Sequence, residues 1–146
     1  MAFRGTFDHT LDAKNRLTIP AKFRSMLSDG VVLSKQPDGQ PCIGIWRPED
    51  YEQDTERTLA ALAPGGPRAA SLRRFYYGNS HDTELDAAGR VMIPPFLLEH
   101  AGLGRDVVIA GAGRYLEVWD RSRWMQYNET LAGQASELTA EMEHAA

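Results

Sequence analysis

Residues 11–20 read LDAKNRLTIP and residues 85–94 read LDAAGRVMIP. Leu, Asp, Ala, Arg, Ile and Pro coincide at a constant offset of 74. Self-similarity at a fixed distance marks an internal repeat, and the downstream segments recur in the same order as well. Each block leads into a helix-like run, AKFRSML or PFLLEHAGL, and then an apolar run, VVL at 31–33 or VVIA at 107–110. A glycine-containing turn comes next, Asp38-Gly39 or Gly111-Ala112-Gly113, and then IGIW at 43–46 or LEVW at 116–119. Each copy closes on a helix start, at 48–51 and at 120–124. A copy of about 47 residues buries too little surface to be comfortably stable alone. The expected solution is one interdigitated unit with a pseudo-two-fold axis, not two beads on a string.

Within each copy the signals are mainly β. The words RLTI (16–19) and RVMI (90–93) read as short strands, each ended by proline. Proline cannot donate to a ladder but suits the first turn of a helix, so Pro20 and Pro94 mark strand-to-helix switches. Phe23, Met26 and Leu27 can share one helix face, as can Leu97, Leu98 and Ala101, and Gly102 reads as a helix stop. Residues 31–35 with 42–46, and 107–110 with 115–119, read as hairpins. From Pro48, the positions Tyr51, Thr55, Leu59 and Leu62 fall at helical spacing. Pro64-Gly65-Gly66-Pro67 breaks that helix, and 68–77 reads as a second one with Leu72, Phe75 and Tyr76 on one side. At the C-terminus Trp124, Tyr127, Leu131, Ala135, Leu138 and Met142 step by three or four, an amphipathic stripe. The stripe reads chiefly as core, with contact between subunits as the alternative. The division this predicts is a first repeat at 5–51, interrepeat helices at 52–78, a second repeat at 79–124 and a C-terminal helix at 125–146. The fold class is mainly β with flanking helices (α+β).

Composition narrows the function. The chain has 146 residues, 42% hydrophobic and 25% charged, with a net charge of −4. Those proportions exclude a mainly disordered chain, a collagen and a coiled-coil rod. No stretch approaches the roughly 20 unbroken apolar residues that span a bilayer. The opening MAFRGTFDHT has no apolar h-region. The single Cys42 forms no internal disulfide and no Cys-rich zinc site, and it reads as a small hydrophobe in a strand. A cytoplasmic protein with no cofactor and no membrane partner is the expectation.

No catalytic constellation emerges. His9, His81, His100 and His144 fall at no zinc-ligand spacing, and no Walker loop, nucleophile elbow or dinucleotide fingerprint is present. Asp12 and Asp86 could suggest paired glycosidase carboxylates. Each, however, has an Arg four residues on, which holds a carboxylate ionised. No enzyme, metal or small-molecule substrate is expected.

What repeats is Asp-x-x-x-Arg in a strand-to-strand turn, where Asp can bond its own downstream backbone. Gly89 is expected to be left-handed, and Asn15 holds that place in the first copy. Charge separates the copies. Residues 4–24 carry Arg4, Lys14, Arg16, Lys22 and Arg24 against Asp8 and Asp12, a net of +3. Residues 82–100 carry Arg90 against Asp82, Glu84, Asp86 and Glu99, a net of −3. A local ion pair fixing the turn is therefore expected for Asp86–Arg90, whereas Arg16 is expected to face outward toward a polyanion. Arg68, Arg73 and Arg74 form a further basic cluster, read as a solvated face or as partners for a neighbouring subunit's carboxylates.

From FRGTFDHTLDAKNRLTIPAKFR through RRFYYGNSHDTELDAAGRVMIPPFLLEHAGL to LEVWDRSRW, nearly the whole chain resembles the MraZ family of bacterial transcriptional regulators, built from tandem AbrB-type swapped-hairpin domains. The resemblance implies a double-split β-barrel made by both copies and a ring-shaped homo-oligomer. It implies binding to double-stranded DNA at direct repeats upstream of the division and cell-wall gene cluster, repression of that cluster, and nucleoid association. The family's DNA-reading arginine maps onto Arg16, Lys14 matches a basic position in the same loop, and Arg4 matches the basic residue of the opening FRG. Lys22 and Arg24 extend that basic set. Asp12, Asn15, Asp86 and Arg90 support the motifs, with Asn15 standing where the family pattern has Gly. Arginine suits bidentate contact with guanine O6 and N7, and lysines suit phosphate.

Overall fold

The computed structural model describes residues 1–145. Eight strands and five helices succeed one another: β1 (Thr6–Thr10), β2 (Arg16–Thr18), α1 (Ala21–Arg24), β3 (Val31–Lys35), β4 (Cys42–Trp46), α2 (Pro48–Ala60), α3 (Pro67–Gly78), β5 (Ser80–Thr83), β6 (Arg90–Met92), α4 (Pro95–Ala101), β7 (Asp106–Gly111), β8 (Tyr115–Asp120) and α5 (Arg121–Ala145). Every strand pair is antiparallel. The fold is thus mixed α+β with antiparallel sheets. Both expected hairpins form, β3–β4 and β7–β8.

The six-stranded sheet runs β1-β7-β8-β4-β3-β5, and β2 pairs with β6 as a separate two-stranded ribbon. Read by copy, that order is first, second, second, first, first, second. The first strand of each copy lies on the other copy's hairpin, β1 on β7 and β5 on β3. The centre of the sheet, β4–β8, and the ribbon are also pairings between copies. The repeat offset explains the register. Leu17 and Val91, 74 residues apart and equivalent in the two copies, are directly opposed in the ribbon. Gly44 and Glu117, equivalent in IGIW and LEVW, are opposed in the sheet. Each copy therefore completes the other's ladder.

The main core lies between sheet and ribbon. Leu17, Ile19, Val91 and Ile93 from the ribbon segments meet Leu33, Ile43, Ile45, Ile109, Leu116 and Val118 from the sheet, all essentially inaccessible to solvent. Phe23 and Leu27 after the first block, and Leu97 and Ala101 after the second, join the same core, as the repeat predicts. Alternate strand residues face the opposite side. There Val32 and Trp46 pack under Tyr51 of α2, and Trp119 stacks on Tyr127 of α5 with ring centroids 5.0 Å apart. Cys42 is fully buried, and burial next to Glu117 pushes its thiol pKa far up. It is a packing residue, not a nucleophile.

Local signals place the helices well. Pro20 and Pro94 precede α1 and α4 directly. Gly102 ends α4 in the left-handed conformation at φ 59°. Tyr51, Thr55 and Leu59 are the buried face of α2, and the Pro64–Pro67 link separates it from α3. The short helical run expected over AKFRSML forms as a single turn of α-helix that continues as a 3-10 turn at Ser25–Leu27. One expectation needs correction. The stripe on α5 is not core: no residue of that helix is buried. Trp124, Tyr127 and Leu131 are half-buried against the sheet, and every described residue beyond Leu131 is exposed. Periodicity reports which face of a helix is apolar, not how far the body beneath it extends.

Candidate nucleic-acid interface

The two Asp-x-x-x-Arg segments fold into the same turn. In the first, Asp12 Oδ1 accepts the backbone N–H of Lys14 and of Arg16, each at 2.9 Å. Arg16 Nε donates to Asp12 Oδ2 at 2.6 Å. In the second, Asp86 Oδ1 accepts from the N–H of Ala88 and of Arg90 at 2.9 Å, and Arg90 Nε donates to Oδ2 at 2.8 Å. Asn15 and Gly89 are both left-handed, at φ 58° and 76°. The carbonyl of each accepts the N–H of the other copy's isoleucine: Ile19 N–H donates to Gly89 O at 2.9 Å and Ile93 N–H to Asn15 O at 3.0 Å. The tips are thereby locked to the ribbon. Glycine suits 89 through its left-handed φ of 76°, and the Arg24 guanidinium lies across it, so that a Cβ there would displace that side chain. Leu98 holds the place equivalent to Arg24 in the second copy, and Asn15 is exposed.

The expected contrast between the turns is corrected on one point. Arg16 is ion-paired in the same way as Arg90. Both pairs use Nε. Among the described residues, neither guanidinium spends a terminal amino group on the protein. The carboxylate orients the fork and leaves its outer edge free, the edge that a bidentate contact uses.

The chief cause of the lowered pKa of both carboxyls is the backbone N–H of the arginine. Desolvation opposes it, and the guanidinium and the second N–H add to it. A carboxyl whose folded pKa is depressed contributes stability above its unfolded value, and loses it as pH falls through the folded one. The turns therefore stay fixed at neutral pH and loosen only in acid. In an NMR titration the side-chain carboxyl shifts of Asp12 and Asp86 should show midpoints below 3.8, the ordinary value, with the amides of Arg16 and Arg90 moving in step. Midpoints at or above that value contradict the turn geometry.

The ribbon gathers the two arginines. Its register sets Arg16 opposite Met92, Leu17 opposite Val91 and Thr18 opposite Arg90. Leu17 and Val91 point into the core, so Arg16, Thr18, Arg90 and Met92 share the outer face. Diagonal neighbours on such a pair lie about 7–8 Å apart. The side chain of Arg16 is 27% exposed and that of Arg90 32%; Met92 is open to solvent.

The remaining basic residues divide. Lys14 is exposed at the first tip. Lys22 Nζ stands over the rings of Phe7 and Phe23, 4.8 and 5.0 Å from their centroids. It also lies beside Gly5, next in sequence to the exposed Arg4. Arg24 turns away, donating from Nε to Ile19 O at 3.0 Å, and serves the turns as a brace. Arg105, which no sequence motif singles out, joins the first turn. Its carbonyl accepts the N–H of Leu11 at 2.9 Å, and it lines a cavity of about 580 Å³ with Leu11, Asp12, Ala13 and Asn15. The signal was the residue two before each Val-Val pair, Asp29 in the first copy and Arg105 in the second. It acquires meaning only once β1 is known to pair with β7.

Among the described residues there is no group of three or more His, Cys, Asp or Glu that could hold a metal ion, and no helix is long and apolar enough to cross a membrane. The described residues thus present two carboxylate-held arginines on one outer ribbon face above a buried core. Comparison with known proteins identifies the family. The family model described as "MraZ protein, putative antitoxin-like" matches residues 2–63 and 76–145. A protein of Heliobacterium modesticaldum named Transcriptional regulator MraZ is 36% identical over 140 residues, 96% of each chain. Its namesake in Thiobacillus denitrificans is 38% identical over 146 residues, 97% of each chain. That of Limosilactobacillus fermentum is 37% identical over 142 residues, 94% of each chain. The chain belongs to the MraZ family, a family of transcriptional regulators and not of enzymes.

Proposed function

We propose that the chain is a sequence-specific DNA-binding repressor of the division and cell-wall gene cluster, reading direct repeats in its own promoter as a ring-shaped homo-oligomer on the nucleoid. The single observation that carries the DNA reading is the ribbon face that holds Arg16 and Arg90 together. Two-stranded ribbons fit the major groove, and both forks are pre-aimed by their carboxylates. Arg16 and Arg90 read guanine edges on this view. Lys14, Lys22, Arg4 and Arg105 meet phosphates, and Arg24 contributes by bracing the turns. The interleaved strand order supports the double-split barrel of the AbrB type. One protomer offers few cations on a chain of net −4, so useful affinity comes from several ribbons engaging spaced repeats at once.

The test is binding to the protein's own upstream DNA as salt is raised. Log affinity should fall linearly with log salt, at about 0.9 per phosphate contacted, with a clear preference over scrambled sequence. Salt-insensitive binding, or no preference among sequences, rejects the reading.

A further inference from the structure

The outer face of the β2–β6 ribbon carries four side chains, Arg16 and Thr18 from β2 and Arg90 and Met92 from β6. The repeat sorts them into two equivalent pairs, Arg16 with Arg90 and Thr18 with Met92, each separated by the offset of 74. The arginines share one setting, each held at Nε by the aspartate of its own turn. The other pair has diverged. Thr18 is short, hydroxylic and half-buried, whereas Met92 is long, apolar and 55% exposed.

A lone exposed apolar side chain is ordinary on a protein surface. Met92 is distinguished by its place. It lies directly across the ribbon from Arg16 and two residues along the strand from Arg90, flanked by both forks. Cross-strand partners have Cβ atoms about 4.5–5.5 Å apart, and successive bases on one DNA strand are about 3.4 Å apart. On a duplex contacted by the Arg16 fork, Met92 therefore faces an edge one or two base steps away.

The chemistry of the face narrows what that edge can be. The amino groups of cytosine and adenine in the major groove need an acceptor. The arginines only donate, and a thioether is a weak acceptor. The Asp12 and Asp86 carboxylates are each engaged by two backbone N–H groups and a guanidinium. What Met92 can cover is the one apolar group of the major groove, the thymine C5-methyl. Its unbranched side chain adapts to irregular apolar surface. Thr18 is shorter and less exposed, so the apolar contact belongs to one end of the ribbon.

We propose that Met92 is a specificity-determining residue, packing on the C5-methyl group of a thymine one or two base pairs from the guanine that Arg16 reads. This inference rests on the DNA reading above and deepens it: the arginines select guanines, and Met92 selects a methyl group beside them.

The test replaces each thymine of the protein's own upstream DNA, one at a time, by uracil, which removes the methyl group and keeps the hydrogen-bonding edges. Binding of the full-length protein is read by fluorescence anisotropy at fixed salt. For the wild type, one thymine per repeat should lose about fourfold in affinity on replacement, the effect of one methyl-sized group returned to water. Met92→Ala should bind unmodified DNA about fourfold more weakly per repeat and lose nothing further when that thymine is replaced. Its thermal midpoint should stay unchanged, since the side chain is exposed. Met92→Leu, which keeps an apolar side chain, should retain the methyl sensitivity. Three results overturn the Met92 assignment and leave the DNA reading standing: sequence-specific binding with no methyl-sensitive thymine, a Met92→Ala variant with the same methyl sensitivity as the wild type, or a Met92→Leu variant with none. A wild type with no preference among DNA sequences overturns the DNA reading together with this one.

Discussion

Arg16→Ala is expected to weaken binding to promoter repeats by roughly 10- to 100-fold per repeat contacted, the loss of one bidentate base contact. The thermal midpoint should hardly move. Two of the three bonds that the Asp12 carboxylate accepts come from backbone N–H groups and survive the substitution, as do the backbone bonds of the turn. The third is a partly exposed ion pair, a type that contributes little to stability. In the proposed assembly several ribbons act together, so the loss multiplies. Arg90→Ala is the informative companion. Sequence charge alone assigns the second motif to turn fixing, but the ribbon register puts Arg90 on the same outer face as Arg16, so on the proposed reading its removal should also weaken binding. Fluorescence anisotropy with labelled promoter DNA checks both. Undiminished binding by the Arg16 variant removes the site assignment.

Splitting the chain in the Pro64–Pro67 link should give two fragments that are each unfolded as monomers and fold when mixed. In fragment 1–65, β1 has lost β7, β2 has lost β6 and β4 has lost β8; only the β3–β4 hairpin keeps its partner. In fragment 66–146 only β7–β8 remains, since β5 has lost β3. An isolated hairpin is at best marginally stable in water, and a fragment of this size buries too small a share of its surface to compensate. Structure should appear only on pairing, with the other fragment or with a second copy of itself, and with second-order concentration dependence. Far-UV circular dichroism and amide shift dispersion report it. A fragment folded as a monomer contradicts the interleaved topology.

The features legible in the sequence are local. The turns, the left-handed Asn15 and Gly89, both hairpins and the proline helix starts depend on residues within a few positions of one another, where steric and hydrogen-bonding rules act directly. The repeat offset carries one long-range fact, that two equal units share a core. It cannot show that β1 crosses to β7, a pairing about a hundred residues distant, and so it misses Arg105 beside the first tip. Nor can charge counting show that Arg16 and Arg90 share a face, because a face is set by register. Arg24 counts as a free cation until the fold brings Gly89 beneath it. The α5 stripe looks like core because periodicity carries no information about where the sheet ends.

Joining two near-equivalent halves in one polypeptide frees them to diverge. Leu17 faces Val91 on a dyad, yet the flanks differ in sign, cationic around Lys14 and anionic around Glu84 and Asp86. A true homodimer would be bound to a palindrome, since its two ends are indistinguishable. Here the ribbon has a front and a back. On the proposed reading it sits on DNA in one orientation only, and copies on direct repeats point the same way. Operator half-sites for such a protein should share polarity: inverting one of them, with its bases and spacing kept, takes it out of register with its neighbours.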